Sequence, residues 1–154
     1  MSTVEFRFSV GADPFASPNA LVALARQADA EGLFGLCVAD HPGVTPSPFA
    51  TLALVAARTS SLHLIPYVLN AGIREPLDIA ADAATLDVLS NGRLVLGLGA
   101  GHTPAEWTMR GATPPSPAAR VDRLHEVLEV VPRLLAGEVV DFEGEHVQLH
   151  HAFS

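Results

Sequence analysis

Residues 89–101 read LSNGRLVLGLGAG, an apolar run threaded by Gly92, Gly97, Gly99 and Gly101. A dinucleotide-binding turn has the form G-x-G-x-x-G, opens a helix at the first strand–helix junction, and has an acid about 20 residues further on. Counted from Gly97, the third glycine of that pattern falls on His102, and the run follows the fourth apolar segment of the chain rather than the first. The next helical stretch is short and starts only after Thr103-Pro104. A Rossmann fingerprint is therefore disfavoured. Two readings remain: small residues that let a strand pack tightly inside a parallel barrel, or bare backbone that approaches a flat cofactor at the strand's end.

The segments before and after it decide the architecture. Val4, Phe6, Phe8 and Val10 alternate with polar neighbours, the period of a half-buried strand. Ser17-Pro18 reads as an N-cap and first helical position, opening a helix to Gly32 with Leu21, Leu24, Ala25 and Ala28 on one face. The run 33-LFGLCVA-39 has the unbroken apolar character of a strand buried on both sides. A loop, 40-DHPGVTPSP-48, follows it. The alternation then repeats: helix over 49–59, strand over 63–69, a Pro76-led helix to Leu89, a turn at Ser90-Asn91-Gly92, and a fourth strand over 93–98. A short segment, 104–110, and a proline-rich linker lead to a last helix over about 118–135, and 139–151 reads as a hairpin turning near Glu143-Gly144.

Strands alternating with helices define an α/β protein with a parallel sheet. The sheet is either open and doubly wound or part of a (β/α)₈ barrel of the TIM type, which needs roughly 250 residues. Four strands, four helices and a C-terminal hairpin amount to about half such a barrel. The chain reads as one domain over 1–154, with the four βα units in 1–137 and the hairpin in 138–154.

The totals bound the function. A formal charge of −8 over 154 residues argues against a nucleic-acid partner. Apolar residues make up 49% of the chain, with mean hydropathy +0.30, yet no apolar run approaches the ~18–20 residues of a membrane span. The start, MSTVEFRFSV, lacks the basic and long apolar parts of a signal peptide. The lone Cys37 excludes an internal disulfide and fits a reducing cytoplasm.

Chemistry-bearing residues fall just past the C-terminal ends of the expected strands: Asp40-His41 after the second, Asn70 after the third, and Gly99-Ala100-Gly101-His102 after the fourth. Both parallel architectures bind ligands at that edge. His41 is of the residue type that titrates near neutral pH, as an acid–base group must. His146, His150 and His151 read as an exposed polar hairpin rather than a metal site, because no cysteine or HxxxH helix completes one. Trp107 and Met109, near Glu106, read as packing residues of a short helix. The i, i+3, i+6 spacing of Arg120, Arg123 and Glu126 reads as a solvated face with salt bridges.

As an ordered set, 28-ADAEGLFGLCVADHP-42, Ala57-Arg58-Thr59-Ser60, 67-YVLNAGIREP-76, 86-LDVLSNGRLVLGLGAG-101, Glu106, Gly111 and 120-RVDRLHEVLEVVPRLLAGEVVDFEGEHV-147 resemble the N-terminal half of the luciferase-like monooxygenase superfamily. That superfamily comprises FMN- and coenzyme F420-dependent oxidoreductases. The resemblance implies a (β/α)₈ fold whose mouth holds the ring of F420, with FMN as the alternative. Ala39-Asp40-His41-Pro42 and Tyr67-Val68-Leu69-Asn70 favour the F420 branch. It implies further that Asp40, His41, Tyr67, Val68, Asn70, Gly99, Ala100, Gly101 and His102 contact the cofactor, and that the Tyr67–Val68 step is a non-proline cis peptide. On the same basis His41 and His102 handle the proton or polarise a small-molecule substrate, and Asp40 orients His41 or the ring.

Relatives of this type carry four further βα units, which hold much of the cofactor's phosphate site. A half-sheet exposes edges and an apolar surface, so the chain is expected to pair with its own copy or a complementary half-barrel, or to be a truncated gene product. The rival expectation is a non-catalytic half-barrel that binds flavin weakly and acts through self-association.

Overall fold

A computed structural model describes residues 6–14 and 16–154. The elements are β1 (Ser9–Gly11), α1 (Pro18–Ala30), β2 (Gly35–Val38), α2 (Pro48–Ala56), β3 (His63–Pro66), β4 (Leu69–Asn70), α3 (Pro76–Ser90), β5 (Leu98–Gly99), α4 (Ala105–Thr108), α5 (Pro117–Leu135) and the hairpin β6 (Val140–Glu143) and β7 (Gln148–Ala152). β1, β2 and β3 pair in parallel in that order, and β4 pairs in parallel with β5. No helix among the described residues is long and apolar enough to cross a membrane.

Three helices begin with the same dipeptide. Ser17-Pro18, Ser47-Pro48 and Ser116-Pro117 place proline in the first turn, where its missing N–H costs nothing. Ser17 and Ser116 also accept from the backbone N–H three residues on, at 3.2 Å each. Helix α3 ends where Asn91 (φ 58°) and Gly92 (φ 77°) both turn left-handed, the conformation an Asn-Gly pair enters at least cost.

The strands are shorter and more broken than the apolar runs suggest. Val4 lies outside the described residues, and Phe6 and Phe8 are 76% and 69% exposed. The reason is register: Ser9 lies opposite Gly35, so residues 6–8 face the turn that precedes β2. The expected strand over 63–69 divides into β3 and β4 at Tyr67–Val68, whose peptide is cis. The expected strand over 93–98 is correspondingly reduced to a bridge between Leu94 and Leu64 and then β5. Pro66 has no N–H to extend the ladder, and pairing resumes only where Leu69 N donates to Gly97 O (2.8 Å). The segment at 104–110 contains a one-turn helix, α4, the short helix expected after Thr103-Pro104.

Leu36 and Leu64 of the sheet are fully buried with Leu52 and Val55 of α2, Ile79 and Ala83 of α3, and Val127 and Val130 of α5. Each such leucine contributes about 1.5–3 kcal/mol of burial. Val140 and Leu149 bring the hairpin into the same core. A buried Arg93, from the Ser-Asn-Gly-Arg turn, donates to the carbonyls of Ala56, Leu62 and Ser90 and to the hydroxyl of Thr59. Asp29 accepts from the backbone N–H groups of Ser60, Ser61 and Leu62 and thereby ties α1 to the start of β3. These ties account for the polar residues that recur between the strands.

Arg123 and Glu126 are not a solvated face. Arg123 donates to the carbonyls of Ala71, Arg74 and His146. Glu126 accepts from the backbone N–H groups of Glu145, His146 and Val147, closing the hairpin turn onto α5. Partial burial opposes ionisation of Glu126, but those three donors hold its carboxyl below the usual range. The guanidinium of Arg120 lies 5.6 Å from the Trp107 ring centre.

Candidate active site

β2, β4 and β5 end at Val38, Asn70 and Gly99, and the polar residues beyond them converge. Asp40, His41, Val68, Asn70, Gly99, Ala100, Gly101 and His102 line a cleft of about 280 Å³, together with Glu106 from α4. Eight of the nine residues assigned to the cofactor from the sequence thus meet in one place. The ninth, Tyr67, is 66% exposed and does not line the cleft; its N–H donates to Val38 O.

One hydrogen-bond network runs through these residues. His41 Nδ1 lies 2.7 Å from Glu106 Oε1, and Asn70 Nδ2 donates to Glu106 Oε2. Asn70 Oδ1 accepts from Gly72 N (2.9 Å), and Asn70 N donates to Asp40 Oδ2 (3.0 Å). Arg74 grips both Asp40 oxygens, Nε to Oδ2 and Nη2 to Oδ1, each at 2.7 Å. The hydrogen bond to Asp40, set against partial burial of the guanidinium, raises the Arg74 pKa above its ordinary value. The backbone of His41 is fixed by its N–H to Thr45 Oγ1 (2.9 Å), and the same hydroxyl donates to Ala39 O. The His102 ring meets His41 edge-on, 5.5 Å between centres.

The partner of His41 is Glu106; of the two expected roles of Asp40, orienting His41 or the ring, the first falls to Glu106, and the Asp40 carboxylate is taken up by Arg74 and Asn70. Glu106 and Arg74 are the two residues that inspection of strand ends missed. Glu106 lies on a one-turn helix and Arg74 in a loop, and neither position is marked by periodicity. The one available signal was their place within the matched stretches, at Glu106 and in 67-YVLNAGIREP-76.

The glycines of the opening stretch serve the neighbouring strand first. A Cβ on Gly97 would meet Pro66 O at 2.6 Å, and one on Gly99 would meet Val68 Cγ2 at 2.5 Å. Gly101, at φ 75°, would drive a Cβ into the Asn70 side chain. The space these glycines leave is filled by the 66–68 bulge and by Asn70. Gly99 and Gly101 also present bare backbone to the cleft.

A flat polar ring fits this cleft. Its floor from Gly99 to Gly101 carries only the Ala100 methyl, Val68 offers an apolar contact, and Asn70, His41 and His102 supply hydrogen-bonding groups. No arginine is among its lining residues, so those described suit a ring rather than a phosphate tail. The hairpin histidines lie elsewhere: His151 is 2.9 Å from Asp141 and His150 is 3.4 Å from Glu143. Among the described residues no cluster of three or more histidine, cysteine or acidic side chains is arranged to hold a metal.

Parallel βα units with their polar residues gathered past the strand ends define a class, the (β/α)-barrel type. The chain matches the luciferase-like monooxygenase family over residues 2–154 and belongs to it. It is 37% identical over 153 residues to an F420-dependent glucose-6-phosphate dehydrogenase of Kineococcus radiotolerans, covering 94% of this chain and 45% of that protein. The structure of the coenzyme F420-dependent tetrahydromethanopterin reductase of Methanopyrus kandleri superposes with a TM-score of 0.84 at 29% identity, over 97% of this chain and 46% of that one. A monooxygenase of Streptomyces bottropensis gives a TM-score of 0.79 at 30% identity, over 94% and 47%. The chain therefore spans about half the length of the relatives it matches.

Proposed function

We propose that this chain forms the N-terminal half of the active site of an F420-dependent oxidoreductase, with FMN as the alternative cofactor, acting on a small organic substrate. The observation that carries this reading is the Glu106–His41 pair standing over a glycine-floored cleft at the ends of β2, β4 and β5. Bound F420 would supply hydride transfer. The protein's part is binding and proton handling. Asn70, Val68 and the 99–101 backbone seat the ring. His41 Nδ1 is held by Glu106, which leaves Nε2 to take the proton from a substrate hydroxyl, or to return it to a carbonyl in the reverse direction. Glu106, buried and hydrogen-bonded by Asn70, orients the imidazole. His102 stands beside His41 as a second polarising group.

Assembly completes the reading. Outside β5, a hollow of about 370 Å³ is lined by Ala83, Ala84, Val88, Leu94, Leu96 and Leu135, with Asp87 as its one charged residue. Val88 is 77% exposed. We assign that surface to a second copy or a complementary half-barrel, which would also bring the groups that hold the cofactor's phosphates. The rival, a half-barrel that only associates, differs in its cofactor affinity.

The test is a fluorescence titration of the purified protein with F420 and, separately, FMN, with native mass measured in parallel. Saturable F420 binding at micromolar strength or tighter by an assembled species supports the reading. A monomer that binds neither cofactor refutes it.

A further inference from the structure

The backbone ladder between β2 and the next strand stops at Val38, where Tyr67 N makes its bond. β4 then turns to β5, through Leu69 N to Gly97 O and Ala71 N to Gly99 O, each 2.8 Å. A seam is left between the end of β2 and β4. The Asp40 carboxylate spans it by accepting from Asn70 N, in place of a main-chain carbonyl.

Asp40 is only 3% exposed, and a buried carboxylate needs hydrogen-bond donors to offset its lost hydration. One N–H comes from Asn70; the other two, and the positive charge, come from Arg74. Arg74 is itself anchored, because Arg123 of α5 donates to its carbonyl at 3.2 Å and to Ala71 O at 3.0 Å. From Asn70 the network continues to Glu106 and His41.

We propose that Arg74 is a positioning residue for this site: by gripping both oxygens of Asp40 it closes the seam between β2 and β4, and so fixes Asn70, and through it Glu106, against His41. The fork geometry matters. A planar guanidinium reaches two carboxylate oxygens at once, whereas a lysine delivers one point contact. The charge matters too. Asp40 and Glu106 line the same cleft, with His41 and His102 the ionisable neighbours on their loops. Arg74 is the cation set against Asp40, and Asp82 of α3 adds to the negative field around it. Asp40 thus serves as a structural anion, and the proton-handling pair is left to His41 and Glu106. The catalytic consequence rests on the oxidoreductase reading above; the seam itself does not.

The test compares amide hydrogen exchange at Asn70 in the wild-type chain and in Arg74→Lys and Arg74→Ala. Leu64, whose N–H donates to Arg93 O inside the sheet, is the control. Both variants should exchange Asn70 at least about tenfold faster while Leu64 stays within about twofold. Guanidinium at about 50 mM should slow Asn70 exchange in Arg74→Ala, and the same concentration of ammonium should not. With F420 bound, kcat should fall about tenfold or more in Arg74→Lys with KM little changed, and guanidinium should partly restore turnover in Arg74→Ala. If Arg74→Ala does not fold, Arg74→Lys decides. Wild-type protection of Asn70 in a folded variant overturns the proposal whatever the turnover. A wild-type chain that binds neither F420 nor FMN would sink the oxidoreductase reading and leave the exchange result standing.

Discussion

Replacing Glu106 by glutamine keeps the volume of the side chain and removes one acceptor. Glu106 now accepts from Asn70 Nδ2 and lies 2.7 Å from His41 Nδ1. Asn70 Nδ2 can only donate, so the glutamine oxygen stays with Asn70 and its amide group turns to His41. Nδ1 must then accept, which moves the proton of the neutral imidazole to Nε2. That tautomer has no lone pair for a substrate proton. The charge-assisted bond that is lost is worth about 1.5–3 kcal/mol in the folded protein. Loss of a positioned general base lowers kcat about 10²–10⁴-fold, or roughly 2.7–5.4 kcal/mol of barrier. Steady-state turnover of Glu106→Gln with F420 reads the second quantity, and nitrogen NMR of His41 reads the tautomer. A kcat within about threefold of wild type, or a proton still on Nδ1, would refute the assignment of Glu106.

His102→Ala should lower turnover and leave F420 affinity near wild type, as measured by titration beside a kcat determination; unchanged turnover removes His102 from the mechanism. Gly101→Ala forces a β-carbon onto Asn70 at φ 75°, so unfolding in urea should show a loss of about 1–2 kcal/mol or more, with weakened cofactor binding. Asp29 carries the pH prediction. Burial raises its pKa, but the Ser61 hydroxyl and the N–H groups of Ser60, Ser61 and Leu62 bring it down from 3.8 to about 2. A depressed carboxylate stabilises the fold above its unfolded pKa and loses that contribution as pH falls through the folded one. Allowing for the partial exposure of Asp29, the contribution is about 1–2 kcal/mol. The stability gap between wild type and Asp29→Asn should be full at pH 6, shrink below about pH 4 and close near pH 2. A gap of constant size over that range would contradict the account.

Much of the site was legible because parallel βα proteins put their chemistry where strands end. Asp40, His41, Asn70 and His102 each follow an apolar run, and the structure brings them together. The start of α1 was legible for a local reason, since Ser17-Pro18 sets a cap and a first turn within two residues. What stayed hidden depends on contacts far apart in sequence. Arg123 and Glu126 have the spacing of an exposed helical face, yet they grip carbonyls and N–H groups some 20 to 50 residues away. Arg74 and Glu106 carry no periodic signature, and their meaning comes only from Asp40 and His41 across the cleft. The division of the third strand was also invisible to hydropathy, because 63-HLIPYVL-69 is apolar on both sides of the break.

The central claim is that the ring of F420 lies in the cleft over Gly99, Ala100 and Gly101. Backbone NMR of the labelled chain, titrated with F420, tests it most directly. The account predicts saturable shifts concentrated at the amides of His41, Asn70, Gly99, Gly101 and His102, with those of the hairpin at His150 and His151 unmoved. Shifts centred elsewhere on the chain, or none at saturating F420, would contradict it.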